Sequence, residues 1–282
     1  MAVLPAAGVP LTTSGYSVLI ADDPIQVAAA QRLRHEVFAT ELGAALRPDP
    51  AGLDTDEFDA HCDHLIVREE RTGAVVGTYR LLPPGRTTRR YADTEFDLTA
   101  LDPLRDVLVE AGRSCVHPDH RSGAVINLMW AGITRYLHLR GSSWLGGCAS
   151  VPVDDGGLLA AGVWDEVRAR HLAPPPLRVR PLRPWFAEPP AAAPPTVGAG
   201  VPPTVGAGVP PTVGARAPGV GAAAAGRTAL PPLLRGYLRL GAWVAGEPAY
   251  DPDFRVADFY VLFSLDRMNP RYLRHFLGGG ER

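Results

Sequence analysis

The word PPTVGAGV occurs at Pro194–Val201, recurs at Pro202–Val209 and decays at Pro210–Ala217. With its flanks, from Ala187 to Gly226, the stretch is rich in Pro, Gly and Ala and almost free of charge. So few large side chains cannot bury enough apolar area to offset the entropy of ordering the backbone. It therefore reads as a disordered, partly extended linker. A repeat array would need larger apolar residues in each unit. Any core must come from residues 15–186 and 227–282, with 1–14 as a flexible N-terminus.

On either side of the linker the apolar pattern alternates between strand and helix. Gly15–Ala21 reads as a short strand. Helix grammar follows, with Asp23 as N-cap, Pro24 at the first helical position and Gln26 closing a capping box. Ile25, Ala29, Leu33, Val37 and Leu42 keep one stripe apolar, and Gly43 ends it. Two apolar runs flank Arg71, Thr72 and Gly73, which signals a hairpin. The pattern then gives a strand at 107–116, a helix at 122–141, a buried strand at 143–151, a helix at 154–172 and a short strand at 177–182. After the linker, 230–242 is helical in pattern and 256–265 is a strand of strong β-formers. A strand that apolar needs a partner, and the sheet upstream is the natural one. The order predicts one α/β (α+β) domain: a mixed central sheet flanked by helices, with the linker as an insertion.

The 282 residues carry a net charge of −2, so no whole-chain basic field points to nucleic acid. Every basic residue other than histidine is Arg, which excludes a Schiff-base lysine and a Walker-type phosphate loop. Cys62, Cys115 and Cys148 are too few for a disulfide framework and fit a reducing, cytoplasmic setting. No run of about 18 apolar residues is present, which leaves peripheral contact as the membrane association compatible with the sequence. No metal is implied, because His61, Cys62 and His64 would not share a face on an extended chain.

The strand at 107–116 carries Glu110 and Arg113 among apolar neighbours. Their odd separation puts them on opposite faces of a regular strand. A bulge at Gly112 would flip the parity and bring both to one side, with backbone N–H groups freed for a ligand.

Here the residues resemble a known pattern. RLRHEVF (32–38), DEFDAHCDHLIV (56–67), VVGTYRLLPP (75–84), EFDL (95–98), VEAGRSCVHPDHRSG (109–123), LMWAGI (128–133) and GCASV (147–151) resemble the bacterial ornithine-lipid N-acyltransferases. The likeness covers about residues 16–185 and resumes at Leu230–Phe254 and Ala257–Phe263. Those enzymes are relatives of the acyl-homoserine-lactone synthases and, more distantly, of the GNAT acetyltransferases. The resemblance implies a GNAT-like fold. It also implies transfer of a 3-hydroxyacyl chain from acyl carrier protein (ACP) to the α-amine of ornithine, with no cofactor beyond the thioester donor.

Carried over by motif, Arg34, Phe38, Asp56, Asp59, Arg80 and Phe96 would line the substrate cleft, and Glu110 and Arg113 would be its catalytic pair. An amine attacks a thioester only in its neutral form, and an α-amino group has a pKa of about 7.7–8.0. Glu110 would accept its proton, directly or through water. Asp54, Asp56 and Asp59 would hold the cationic amino acid, and the bulge N–H groups would steady the oxyanion. The residues alone leave other readings open. Arg80, Glu110 and Arg113 also fit a buried ion-pair network, the aspartates a solvated turn, and Arg34 and Phe38 ordinary helix surface and core.

Donor binding falls to the turn after the strand: Val116, Arg121, Ser122, Gly123 and Ala124. Many GNAT enzymes place Arg-Gly-x-Gly-x-Gly there to cradle the pyrophosphate of CoA. Here only Gly123 remains, and Ala124 and Ile126 replace later glycines, which favours a donor with a single phosphate, acyl-ACP. Arg86, Arg89, Arg90 and Arg121 are candidates for the basic surface an acidic carrier needs. An acyl-CoA-dependent enzyme acting on another amine, a homoserine-lactone synthase and a non-catalytic acyl-carrier-binding module remain alternatives.

Overall fold

The structure, a computed structural model, describes residues 12–13, 15–46, 49–121, 123–186 and 230–277. The expected linker at 187–226 lies outside them, as does most of 1–14. The strands are β1 (Thr12–Thr13), β2 (Tyr16–Ile20), β3 (Asp63–Glu69), β4 (Val75–Leu82), β5 (Phe96–Asp97), β6 (Leu108–Val116), β7 (Trp144–Pro152), β8 (Arg180–Pro181), β9 (Trp243–Val244), β10 (Ala249–Asp251) and β11 (Val256–Ser264). The helices are α1 (Pro24–His35), α2 (Ala124–Arg140), α3 (Leu158–Arg170), α4 (Pro232–Arg239) and α5 (Pro270–Phe276).

One sheet runs β1-β2-β3-β4-β6-β7-β11-β10, with β9 paired to β11. The β6–β7 pair is parallel and its neighbours are antiparallel, so the sheet is mixed, as expected. The late strand does find the upstream sheet: β11 pairs with β7 along its whole length, Val256 opposite Pro152 through Ser264 opposite Trp144. The segment at 177–182 instead forms a 3-10 turn and then β8, which pairs with β5 apart from the main sheet.

Strand alternation sorts the two faces. One carries Val109, Ala149, Val151, Phe259 and Val261 into a core shared with α2, α3 and α4. Gly77 and Gly132 let α2 approach, since a Cβ at Gly77 would press on Val125 and one at Gly132 on Leu65 and Val18. The other face carries Arg80, Glu110, Cys148 and Asp258. It is covered by α1 and by the 91–104 segment, which packs a smaller core of Phe96, Leu98, Leu101 and Tyr260.

Asp23 caps α1 through its Oδ1, which accepts from the Gln26 N–H at 2.8 Å. Gln26 Oε1 accepts from the Asp22 N–H at 3.4 Å, one residue earlier than the expected capping box. After His35 the helix widens into a π-helical turn over Glu36–Glu41 and does not run regularly to Gly43.

Candidate active site

β6 shapes the cleft through two irregularities. Its pairing with β7 ends at Glu110 opposite Gly146, although both strands continue, so they part beyond that point. Ala111 and Gly147 stand where they part, and a Cβ at Gly147 would collide with the Ala111 carbonyl. On its other edge, Thr78 faces Cys115 while Arg80 faces Gly112, so Arg113 and Ser114 together oppose Tyr79. That is a β-bulge. It lies one residue beyond the expected place: the residue with positive φ is Arg113 (51°), not Gly112. Gly112 lines the cleft, and a Cβ there would meet only open space within 4 Å.

The cleft is a cavity of about 440 Å³ that Glu110 and Arg113 both line. Glu110 is buried and held by two amides, Tyr91 N–H on Oε2 at 2.8 Å and Ala92 N–H on Oε1 at 2.9 Å. Burial raises its pKa, and those two hydrogen bonds together with Arg80 oppose the rise. Arg113 lies over the rings of Tyr91 (5.1 Å) and Phe254 (5.0 Å). Its Nη2 donates to Asp56 at 3.3 Å, and its buried Nε lies 3.5 Å from Asp54 without forming a hydrogen bond.

The other expected residues divide. Phe38 and Arg80 line the cavity, Phe38 edge-to-face with Phe254. Arg34 is fully buried outside it. Its Nε donates to Asp54 at 2.8 Å, its Nη1 and Nη2 to the two oxygens of Asp59 at 2.9 Å, and its Nη2 also to the Asp54 carbonyl. Arg80 Nη1 donates to Asp56 at 2.6 Å. Asp54, Asp56 and Asp59 are thus neutralised by Arg34, Arg80 and Arg113, and none of the three carboxylates lines the cavity. Burial alone would raise the pKa of Asp59, but Arg34 and Arg80 outweigh it and hold the group below the usual carboxylate range. Asp56 is held low in the same way by Arg80 and Arg113. Phe96 sits away from the cavity, edge-to-face with Tyr260 in the smaller core.

The expected donor turn opens α2. Gly123 has φ 93° and Ala124 begins the helix, so the first N–H groups of α2 point out of this turn. Arg121 donates to the Val116 carbonyl at 3.0 Å and forks onto both oxygens of Glu41 at 2.6 Å. Ser122 lies outside the described residues. Among the other arginines of the expected landing surface, Arg86 pairs with Asp63, Arg89 with Glu57, and Arg90 is buried.

Sequence reasoning missed a second group of carboxylates. Glu95, Asp251 and Asp258 line the same cavity, with oxygens within 4.8 Å of one another. Asp258 stands in the otherwise apolar β11, the same signal that singled out Glu110. Burial, then repulsion from Asp258 and Asp251, raises the Glu95 pKa well above the usual range. Burial likewise raises that of Asp258. The cavity thiol Cys148 donates to Glu95 at 3.2 Å and is pushed far above the ordinary thiol range by burial, which makes it a poor nucleophile.

Comparison with known proteins gives the chemistry. The Acetyltransferase (GNAT) domain family matches residues 33–131. An L-ornithine N(alpha)-acyltransferase of Rhodobacter capsulatus is 34% identical over 269 residues, covering 91% of this chain and 93% of that protein. The chain belongs to the L-ornithine N(alpha)-acyltransferase family. The Rhizobium meliloti L-ornithine N(alpha)-acyltransferase is 28% identical over 96% of this chain and 88% of its own length. A solved CoA-dependent acyl-homoserine lactone synthase aligns with 90% of this chain and 83% of its own at 16% identity, with a TM-score of 0.49. The acyltransferase is therefore an amide-forming enzyme with the expected GNAT-like mixed α/β fold. No helix among its described residues is long and apolar enough to cross a membrane.

Proposed function

We propose that this acyltransferase moves a 3-hydroxyacyl chain from acyl carrier protein to the α-amine of ornithine, giving a lyso-ornithine lipid. The observation that carries the reading is the parting of β6 and β7 at Glu110, beside a cavity with two kinds of wall. Phe38, Leu42, Leu233, Phe254 and Val256 supply an apolar side for an acyl chain, and Glu95, Asp251 and Asp258 an acidic side for an amino acid. A thioester reaching the gap would present its carbonyl near Glu110.

The α-amine nitrogen attacks the thioester carbonyl carbon, the C–N bond forms and the C–S bond breaks. The nitrogen's proton goes to Glu110, directly or through water, and a proton ends on the departing pantetheine thiol. Burial suits Glu110 to this, because a carboxylate with a raised pKa is a stronger base. Arg113, bulged into the cleft, is the group on hand for the acceptor's carboxylate. The acyl carrier reading rests on the turn that opens α2, where Gly123 alone keeps glycine and Arg121 is held by Glu41. This favours one phosphate over a pyrophosphate.

Purified enzyme given 3-hydroxyacyl-ACP and ornithine should release thiol and form an N-acylornithine of the matching mass. Matched acyl-CoA should react more slowly. Thiol release from acyl-CoA alone would overturn the carrier, and acylation of amines other than ornithine would overturn the acceptor. Glu110→Gln should cut turnover by about 10²–10⁴-fold. An unchanged rate in a folded Glu110→Gln protein would reduce Glu110 to an anchor for the Tyr91–Ala92 backbone.

A further inference from the structure

Register and alternation place an unusual row of side chains on the cavity face of the sheet. Glu110 lies opposite Gly146, Cys148 opposite Tyr260, and Ser150 opposite Asp258. Asp251 shares this face at the end of β10, and Glu95 reaches it from the loop above. The Ser150 hydroxyl donates to Asp258 at 2.6 Å, Cys148 to Glu95 at 3.2 Å, and the Asp253 and Phe254 N–H groups to Asp251 at 2.8 and 3.2 Å. Among the described residues no arginine or histidine forms an ion pair with Glu95, Asp251 or Asp258. Arg113, whose charge reaches Asp258, forms its pairs with Asp54 and Asp56.

A second observation points to a ligand. Tyr260 is 1% exposed, and its buried hydroxyl sits over Gly146 between Glu110 and Cys148 with no hydrogen-bond partner among the described residues. Buried polar groups are normally satisfied. An unused donor thus lies behind the cavity wall, between Glu110 and Cys148, which both line the cavity, and two residues along β11 from Asp258, in an enzyme family named for a diamino acid.

We propose that Asp258 and Glu95, supported by Asp251, form the subsite for the side-chain ammonium of the acceptor and so select a diamino acid over a neutral one. The inference rests on the reading that the acceptor binds in this cavity. An ammonium bonded to Asp258 and Glu95 leaves the α-amine for Glu110 and the carboxylate for the Arg113 guanidinium, which lines the cavity. Without a cation the buried carboxyls repel one another and retain protons. An incoming ammonium displaces those protons and supplies the missing charge. A neutral side chain displaces no proton and forms no charge pair with the carboxyls, and the difference between the two side chains is the selection.

The test compares ornithine with norvaline, which has the same carbon chain without the ammonium. Wild-type enzyme should prefer ornithine in kcat/KM. Asp258→Asn and Glu95→Gln should each lower that preference by about 30-fold or more, the loss expected when one partner of a buried charge pair is removed. Should Asp258→Asn fail to fold, Glu95→Gln, on a loop, carries the same comparison. An unchanged preference in folded variants overturns the subsite while leaving ornithine acylation intact. Wild-type enzyme that ignores ornithine overturns the functional reading and the subsite together. A thermal shift with Ca²⁺ or Mg²⁺ that both variants abolish, with ornithine preference kept, would make the cluster a metal site and also overturn the proposal.

Discussion

Asp54, Asp56 and Asp59 share three arginines, whereas Glu95, Asp251 and Asp258 pair with none among the described residues. Both trios are largely buried and both flank the cleft. In the first, Arg34 forks onto Asp59 and Arg80 reaches Asp56, so the charges close on themselves and tie α1 to the 54–61 segment and β4. In the second, hydrogen bonds come from a serine, a thiol and two amides, and no cation among the described residues is paired with the carboxyls. The first trio has the form of a brace and the second that of a receptor. Carboxylates matched as closely as Asp59 is by Arg34 have little left for a substrate, whereas Arg113 pairs with the trio only at 3.3 and 3.5 Å and also lines the cavity.

The largest effect that tests this contrast is on stability. Arg34→Ala strands Asp54 and Asp59 in the interior without their cation and should cost about 3–5 kcal/mol, read by urea unfolding. A loss below about 1 kcal/mol would place the trio among weak surface pairs and break the contrast.

Next comes pH, where the trios should pull in opposite directions. Asp56 and Asp59 have folded pKa values below their unfolded ones, held there by Arg34, Arg80 and Arg113 against burial. Their contribution is present above the unfolded carboxylate range and is lost as pH falls through the folded values. Glu95 and Asp258, facing each other, Asp251, Cys148, Tyr91 and Arg113, have folded values above their unfolded ones. Their contribution is full below the unfolded range and is lost as pH rises through the folded values. Each proton adds a slope of at most about 1.4 kcal/mol per pH unit. Ligand-free protein should therefore lose stability on both limbs, the acid limb through the first trio and the neutral-to-alkaline limb through the second. Ornithine should flatten the second limb and leave the first unchanged.

Asp258→Asn should then raise the stability of ligand-free enzyme by about 1 kcal/mol near pH 8, because it removes a buried charge and keeps an oxygen for the Ser150 hydroxyl. A gain in stability with a loss of ornithine preference is what a receptor predicts. A loss in both would make the second trio another brace.

The sequence showed one trio and hid the other for physical reasons. Asp54, Asp56 and Asp59 lie within a few positions of one another, so they look like a site, but the arginines that neutralise them come from α1, β4 and β6. Glu95, Asp251 and Asp258 are brought together only when β11 pairs with β7 and the 91–104 segment folds over the same face. Periodicity and caps were enough for the element order, the Asp23 cap and the late strand's partner. Glu110 and Arg113 could be assigned to one cleft from two charges on an apolar strand. The bulge could not be placed, because its position depends on the register with β4, and its positive φ falls on Arg113 and not on the glycine that suggested it.

The smallest expected effect concerns Asp251, the member of the receptor trio with a structural role of its own. Its Oδ1 accepts from the Asp253 and Phe254 N–H groups and shapes the turn that puts the Phe254 ring against Arg113 and Phe38. Asn offers the same acceptor and is equally at home in such turns, so Asp251→Asn should change stability by no more than about 0.5 kcal/mol. Asp251→Ala removes acceptor and charge together and should also loosen Phe254, raising KM for the acyl donor as well as for ornithine. If Asp251→Asn weakens ornithine alone while Asp251→Ala weakens both substrates, charge and turn geometry are separate contributions of one side chain. If the two variants behave alike, Asp251 belongs to the turn, and the receptor narrows to Glu95 and Asp258.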